Sequence, residues 1–152
     1  MPGIFAIATS YLSGKGVEKS TSRAIDLLTY ITAAAGAENE DIIARSAFLL
    51  GKIYCNGIEV EADGEKGVNW LLLAANKGDT DAPYELGRIL ESQGTTEDDF
   101  AQAREWYERA AKGGNAQASE ALERLKTRVA SAAQPESITS VTEAAEHEDI
   151  AK

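Results

Sequence analysis

The sequence predicts an all-α fold: an α/α superhelical solenoid of about three helical-hairpin repeats plus a C-terminal capping helix. Three observations carry this. First, the chain matches itself at an offset of 36, with Leu50-Gly51 falling on Leu86-Gly87, Ile53 on Ile89, Trp70 on Trp106, Ala74-Ala75 on Ala110-Ala111 and Gly78 on Gly114. A fixed period of this length marks stacked supersecondary units. Second, apolar residues inside each unit recur at helical spacing, as in Ala82, Leu86, Ile89, Leu90 and again in Ala103, Trp106, Tyr107, Ala110. Third, Gly57, Gly78 and Gly114 fall just after helical runs, where a C-terminal cap favours positive φ. A hairpin this small cannot bury its apolar face alone, so neighbouring units must stack.

Taken in order, the first helix covers Gly3 to Ser13, and Gly14-Lys15-Gly16 turns the chain. Ser20 or Thr21 caps a second helix running to about Ala35, and Gly36 ends it. The period then stretches: Tyr11 to Tyr54 is 43 residues, against 36 from Trp70 to Trp106. The seven extra residues, about two helical turns, lie within Ala37–Ser46, where Asn39 or Asp41 starts a longer helix or the loop lengthens. The second unit continues through Asn56-Gly57, an acidic turn over Ile58–Asp63, and a helix from Gly64 to Asn76. The third runs from Asp81 to Lys112, with Thr95-Thr96 followed by Glu97, Asp98 and Asp99 as its internal helix-start signal. Gly51 and Gly87 stand inside helices, where glycine costs roughly 1 kcal/mol against alanine, so they predict close approach of two helices.

Asn115 to about Ala133 repeats only the first-helix half. Ala118 and Leu122 fall 36 after Ala82 and Leu86, Glu123 replaces the interior glycine, and charged residues crowd the rest. That is the polar cap that a solenoid end needs. The expected organisation is a solenoid over 3–133, with repeats at about 3–36, 41–78 and 81–114 and a cap at 116–133. An acidic tail follows over 134–152, either a frayed end or a segment that docks on the solenoid or a partner.

The run L-G-x-I-Y, then N-G, then W-x-x-x-A-A-x-x-G resembles the Sel-one-like repeat, one of the tetratricopeptide-like α/α solenoids. The resemblance is strongest over Ala44–Gly78 and Ala82–Gly114 and looser over Ile4–Gly36, where Tyr11 to Val17 and Arg23 to Leu28 fit the pattern. It covers about three quarters of the chain. It implies a protein-interaction scaffold or adaptor. Secreted relatives with a cysteine pair in each repeat have been linked to β-lactam binding or hydrolysis, which the resemblance keeps as an enzyme alternative. Here Cys55 is the single cysteine, so that pairing is missing.

Composition narrows the partners. The net charge is −10, which disfavours nucleic acid and anionic membranes as partners, since both call for a basic footprint. No stretch approaches the ~20 apolar residues of a membrane span. Met1 to Phe5 lacks the basic start of a signal peptide, so the expected compartment is the cytoplasm, unless a signal has been removed. No phosphate-loop or dinucleotide glycine motif occurs. His147 is the single histidine, and it lies in the tail. A metal site or a histidine-based triad needs more, so no catalytic set, metal or cofactor is expected. Monomer or weak homodimer is the expected state.

In stacks of this kind the first helices line the concave face. Counting from the interior glycine, the residue three before gives Phe5, Phe48, Tyr84 and Glu120, and the residue one after gives Thr9, Lys52, Arg88 and Arg124. Arg45, Asn56, Glu91 and Arg128 flank them. Phe5, Arg45, Phe48, Lys52, Tyr84, Arg88 and Arg124 are therefore the candidate partner-binding residues. Aromatic rings give contact area at low entropic cost, and Arg or Lys gives charge-assisted bonds to a carboxylate. Together they suit a peptide with acidic groups or a free C-terminus. The other reading of the same spacing is that the rings are core and the cations solvated surface. A dedicated immunity or chaperone role, masking one partner, is the alternative to a general adaptor.

Overall fold

The computed structural model describes residues 2–34 and 36–128. Seven α-helices and no strands occur among them. They are α1 (Pro2–Ser13), α2 (Thr21–Ala33), α3 (Glu40–Asn56), α4 (Gly64–Asn76), α5 (Ala82–Gln93), α6 (Glu97–Lys112) and α7 (residues 116–128), with a short 3-10 turn at Ala37–Asn39 before α3. Helices α1/α2, α3/α4 and α5/α6 are successive hairpins, and α7 packs on the last. The acidic tail and His147 lie outside the described residues.

Local chemistry fixes the ends. The Ser20 hydroxyl accepts from the Arg23 amide at 3.4 Å, and the Asp63 carboxylate accepts from the Lys66 amide at 3.0 Å. Thr96 and Asp99 form a reciprocal capping box at the start of α6. Gly57 ends α3 at φ 64°. Asp79 caps α5 from two residues upstream of Asp81, accepting from the Asp81 and Ala82 amides at 2.9 and 2.8 Å. Asn115, 36 residues on, caps α7 the same way through the Ala118 amide at 2.9 Å.

The interior glycines sit where helices touch. A methyl at Gly51 would lie 2.7 Å from Leu71 Cγ, and one at Gly87 would lie 2.7 Å from the Tyr107 ring. The two helices of the second and third hairpins thus approach too closely for a side chain, which offsets glycine's helical cost. Ala8 holds this place in the first hairpin and is fully buried. Three clusters make the core. Ala8, Leu28, Leu50 and Ile53 join the first hairpin to the second; Ala47, Leu71, Ala74 and Leu86 join the second to the third; Ala103, Tyr107, Ala118 and Leu125 join the third to α7.

The stretched period resolves mainly as helix. Helix α3 begins eleven residues before Gly51, whereas α5 begins five before Gly87. The added length packs on the following link: Glu40 pairs with Lys77 at 3.0 Å, and Arg45 reaches Asp79 and Asp81 at 3.2 and 3.0 Å. Helix α2 stops at Ala33, short of the expected Ala35.

Candidate partner-binding site

The register about the interior glycine places Lys52 on α3 and Arg88 on α5. Both reach a carboxylate that the period alone does not single out. Lys52 Nζ donates to Glu85 Oε1 at 2.9 Å, and Arg88 Nη1 donates to Glu85 Oε2 at 2.7 Å. Glu85, with 14% of its side chain exposed, bridges the two. These three residues border a cleft of about 500 Å³ between α3, α4 and α5. Asn56, Asn69, Ser92 and Gln93 supply neutral hydrogen-bonding groups, and Val68 and Ile89 its apolar surface. With Glu65 also on the wall, two cations meet two carboxylates. The cleft is thus charge-balanced, not basic.

Cys55 lines the same cleft. Burial, and then the nearby Glu85 carboxylate, push its thiol above the ordinary range. A thiol held protonated is a poor nucleophile.

The aromatic candidates divide. Phe48 is a core residue, 9% exposed, and Arg45 lies over its ring at 4.7 Å from the centroid. Its ring offers a partner little area. Phe5 is half-buried against the core cluster that holds Ala8, Leu28 and Leu50. Tyr84 is half-buried and tilted onto Tyr107, with centroids 5.8 Å apart. Thr9 uses its hydroxyl within α1, on the Ala6 carbonyl at 2.9 Å. Glu120 is exposed on α7.

The remaining cations are already paired. Arg45 lies between Asp79 and Asp81. Burial opposes its charge, but the hydrogen bonds it donates to the Asp81 and Asp79 carboxylates outweigh this and hold it firmly protonated. Arg124 on α7 donates to both Glu91 oxygens, at 3.2 and 2.7 Å. Glu91 also accepts from the Tyr107 hydroxyl at 2.5 Å. Burial would raise the Glu91 carboxyl, but the bonds from Arg124 and Tyr107 win and hold it below the ordinary range. Burial and the Glu91 carboxylate push the Tyr107 phenol far above its usual value. The structure therefore brings Lys52 and Arg88 together in one cleft, seats Arg45 on Phe48, and ties Arg124 to α5 elsewhere. Glu85, Asn69 and Gln93 are the lining residues the register count leaves out. The sequence signal for Glu85 is an acid at the place of Leu49 in the previous unit, three residues before Arg88.

No helix among the described residues is long and apolar enough to cross a membrane. The family model of the Sel1 repeat matches residues 2–30, 44–79 and 80–115. No curated protein matches the chain. Crystal structures that share the fold include two repeat proteins. A Sel1 repeat protein from Oxalobacter formigenes is 32% identical, with a TM-score of 0.65 over 81% of this chain and 87% of its own. The c5321 protein, a protective antigen present in uropathogenic Escherichia coli strains and displaying an SLR fold, is 27% identical with a TM-score of 0.69. That match covers 84% of this chain but 26% of c5321, so the chain spans about a quarter of that protein's length. Three matched repeats, with interior glycines at the helix crossings, place the chain in the Sel1 repeat family, whose members are in general protein-interaction scaffolds.

Proposed function

We propose that this chain is a non-catalytic scaffold that holds an extended segment of a protein partner in the cleft between α3, α4 and α5. The observation that carries the reading is the lining of that cleft. Its roughly 500 Å³ falls within the ~300–1,000 Å³ of typical ligand sites. Amide side chains at Asn56, Asn69 and Gln93 each offer a donor and an acceptor, the pairing that a peptide backbone satisfies. Val68 and Ile89, both half-buried, supply apolar surface for an aliphatic side chain. Lys52 and Arg88 supply charge-assisted donors, in competition with Glu85 for any carboxylate the partner brings. An acidic partner must therefore displace an existing ion pair. The charge balance favours a partner read through its backbone and one apolar side chain.

The test is capture from the native host lysate by wild type and by a Lys52→Ala/Asn56→Ala/Asn69→Ala/Arg88→Ala variant. Asn56, Asn69 and Arg88 are exposed and Lys52 is half-buried, and circular dichroism checks that the variant keeps its helicity. Substituting Phe48 would instead open the core. A protein retained by the wild type and lost from the variant is the expected result. Equal retention by both would refute the cleft as the site.

A further inference from the structure

We propose that the outward face of α1 is a self-association surface, on which a second copy of this chain packs head to head about a two-fold axis. The register carries the argument. With Ala8, Gly51 and Gly87 aligned, Ile7 of α1 corresponds to Leu50 of α3 and Leu86 of α5, and Ile4 corresponds to Ala47 and Pro83. Leu50 is 0% and Leu86 3% exposed, because each is covered by the hairpin before it. Ile7 is 50% exposed. Helix α1 thus presents the stacking face of this repeat with no described helix upon it.

Three further features specify the occupant. From Pro2 to Ser13 the helix carries no charged side chain, on a chain of net charge −10. Contact through α1 brings none of that helix's side chains into charge repulsion. The aliphatic hydroxyls on α1 bond to their own helix: Thr9 and Ser10 donate to the Ala6 carbonyl at 2.9 and 3.0 Å, and Ser13 to the Thr9 carbonyl at 3.0 Å. They ask for no outside partner, so covering them leaves no unmet hydrogen bond. Head-to-tail stacking would instead set this apolar face against α7. That helix buries Ala118, Ala121 and Leu125 and exposes Glu120, Glu123 and Lys126.

The contact is weak by construction. Twelve residues of helix span ~18 Å, which gives a few hundred Å² per copy against the ~800 Å² per partner of a standard interface. Association should therefore need high concentration. It should also strengthen with salt, which screens the repulsion between the acidic bodies.

Sedimentation equilibrium of the full chain, from about 10 µM to about 1 mM, brackets an interface of this size. It is run in about 50 mM and about 500 mM NaCl, on either side of the screening regime. The mass should rise from 16.2 kDa toward twice that value, more steeply at high salt. Ile7→Glu, and separately Ala6→Glu, should hold it at one chain, with helicity unchanged by circular dichroism. Ile58→Glu, on an exposed apolar residue outside α1, should associate like the wild type. A single-chain mass throughout would overturn the proposal. So would association that survives both α1 variants, weakens with salt, or grows past two copies.

Discussion

Replacing Gly87 by alanine tests whether hairpin geometry rests on close helix approach. A methyl there would stand 2.7 Å from Tyr107 Cδ1 and Cε1 and 3.2 Å from the Ala103 carbonyl oxygen. Carbon pairs rest at ~3.5–4.0 Å, so the ring must move by about an ångström. It has little room, because Tyr107 is the largest fully buried side chain among the described residues and its hydroxyl is held by Glu91. Alanine returns ~1 kcal/mol of helix propensity. Overpacking costs ~1–3 kcal/mol, and a loosened bond to the Glu91 carboxylate adds ~1.5–3 kcal/mol if it breaks. The expected net is a loss of up to ~2 kcal/mol if the Glu91 bond holds and ~1.5–5 kcal/mol if it breaks, at about 2–4 °C of Tm per kcal/mol for a chain of this size. Urea unfolding and thermal melts followed by circular dichroism read both quantities. Gly64→Ala is the control: a methyl there meets nothing within 4 Å, so stability should hold or rise by up to ~1 kcal/mol. Should Gly87→Ala melt at or above the wild type, close approach does not explain the glycine.

Other expectations follow from the same contacts. Glu91 has a folded-state pKa below its unfolded one, so its stabilisation is present above the unfolded value of ~4.3 and fades as pH falls through the folded value. Glu91→Gln should thus be less stable than the wild type at pH 7, with the gap closing below about pH 4; a gap constant with pH in urea titrations would contradict this. Thr96→Ala removes one half of the capping box and should cost ~0.5–2 kcal/mol; an unchanged urea midpoint would show that Asp99 caps α6 alone. The Ser46 hydroxyl is fully buried in α3 and has no hydrogen-bond partner among the described residues. Ser46→Ala should therefore stabilise the fold by ~1 kcal/mol or more, and a lower Tm would mean that the hydroxyl is satisfied.

The repeat period made the hairpins legible, because helical spacing, caps and glycine C-termini are local devices. Thr95-Thr96 before three acids reads as a helix start from the sequence, and the capping box of α6 is there. The interior glycines read as close-approach points, and both meet a facing side chain. The candidate site was less legible. Lys52 and Arg88 follow from the register, but Glu85 between them does not, since its bond to Lys52 spans 33 residues. Phe48 looks the same as Tyr84 in the repeat count, yet one is core and the other half-buried.

What the sequence determined by itself was the set of helices and their order, because backbone hydrogen bonds and caps act within a few residues. Tertiary structure alone decided which cations are taken, which rings are covered and where the cleft opens. Those depend on how far each hairpin turns on the one before. Side-chain volumes packed across the stack set that angle, and no local pattern records it.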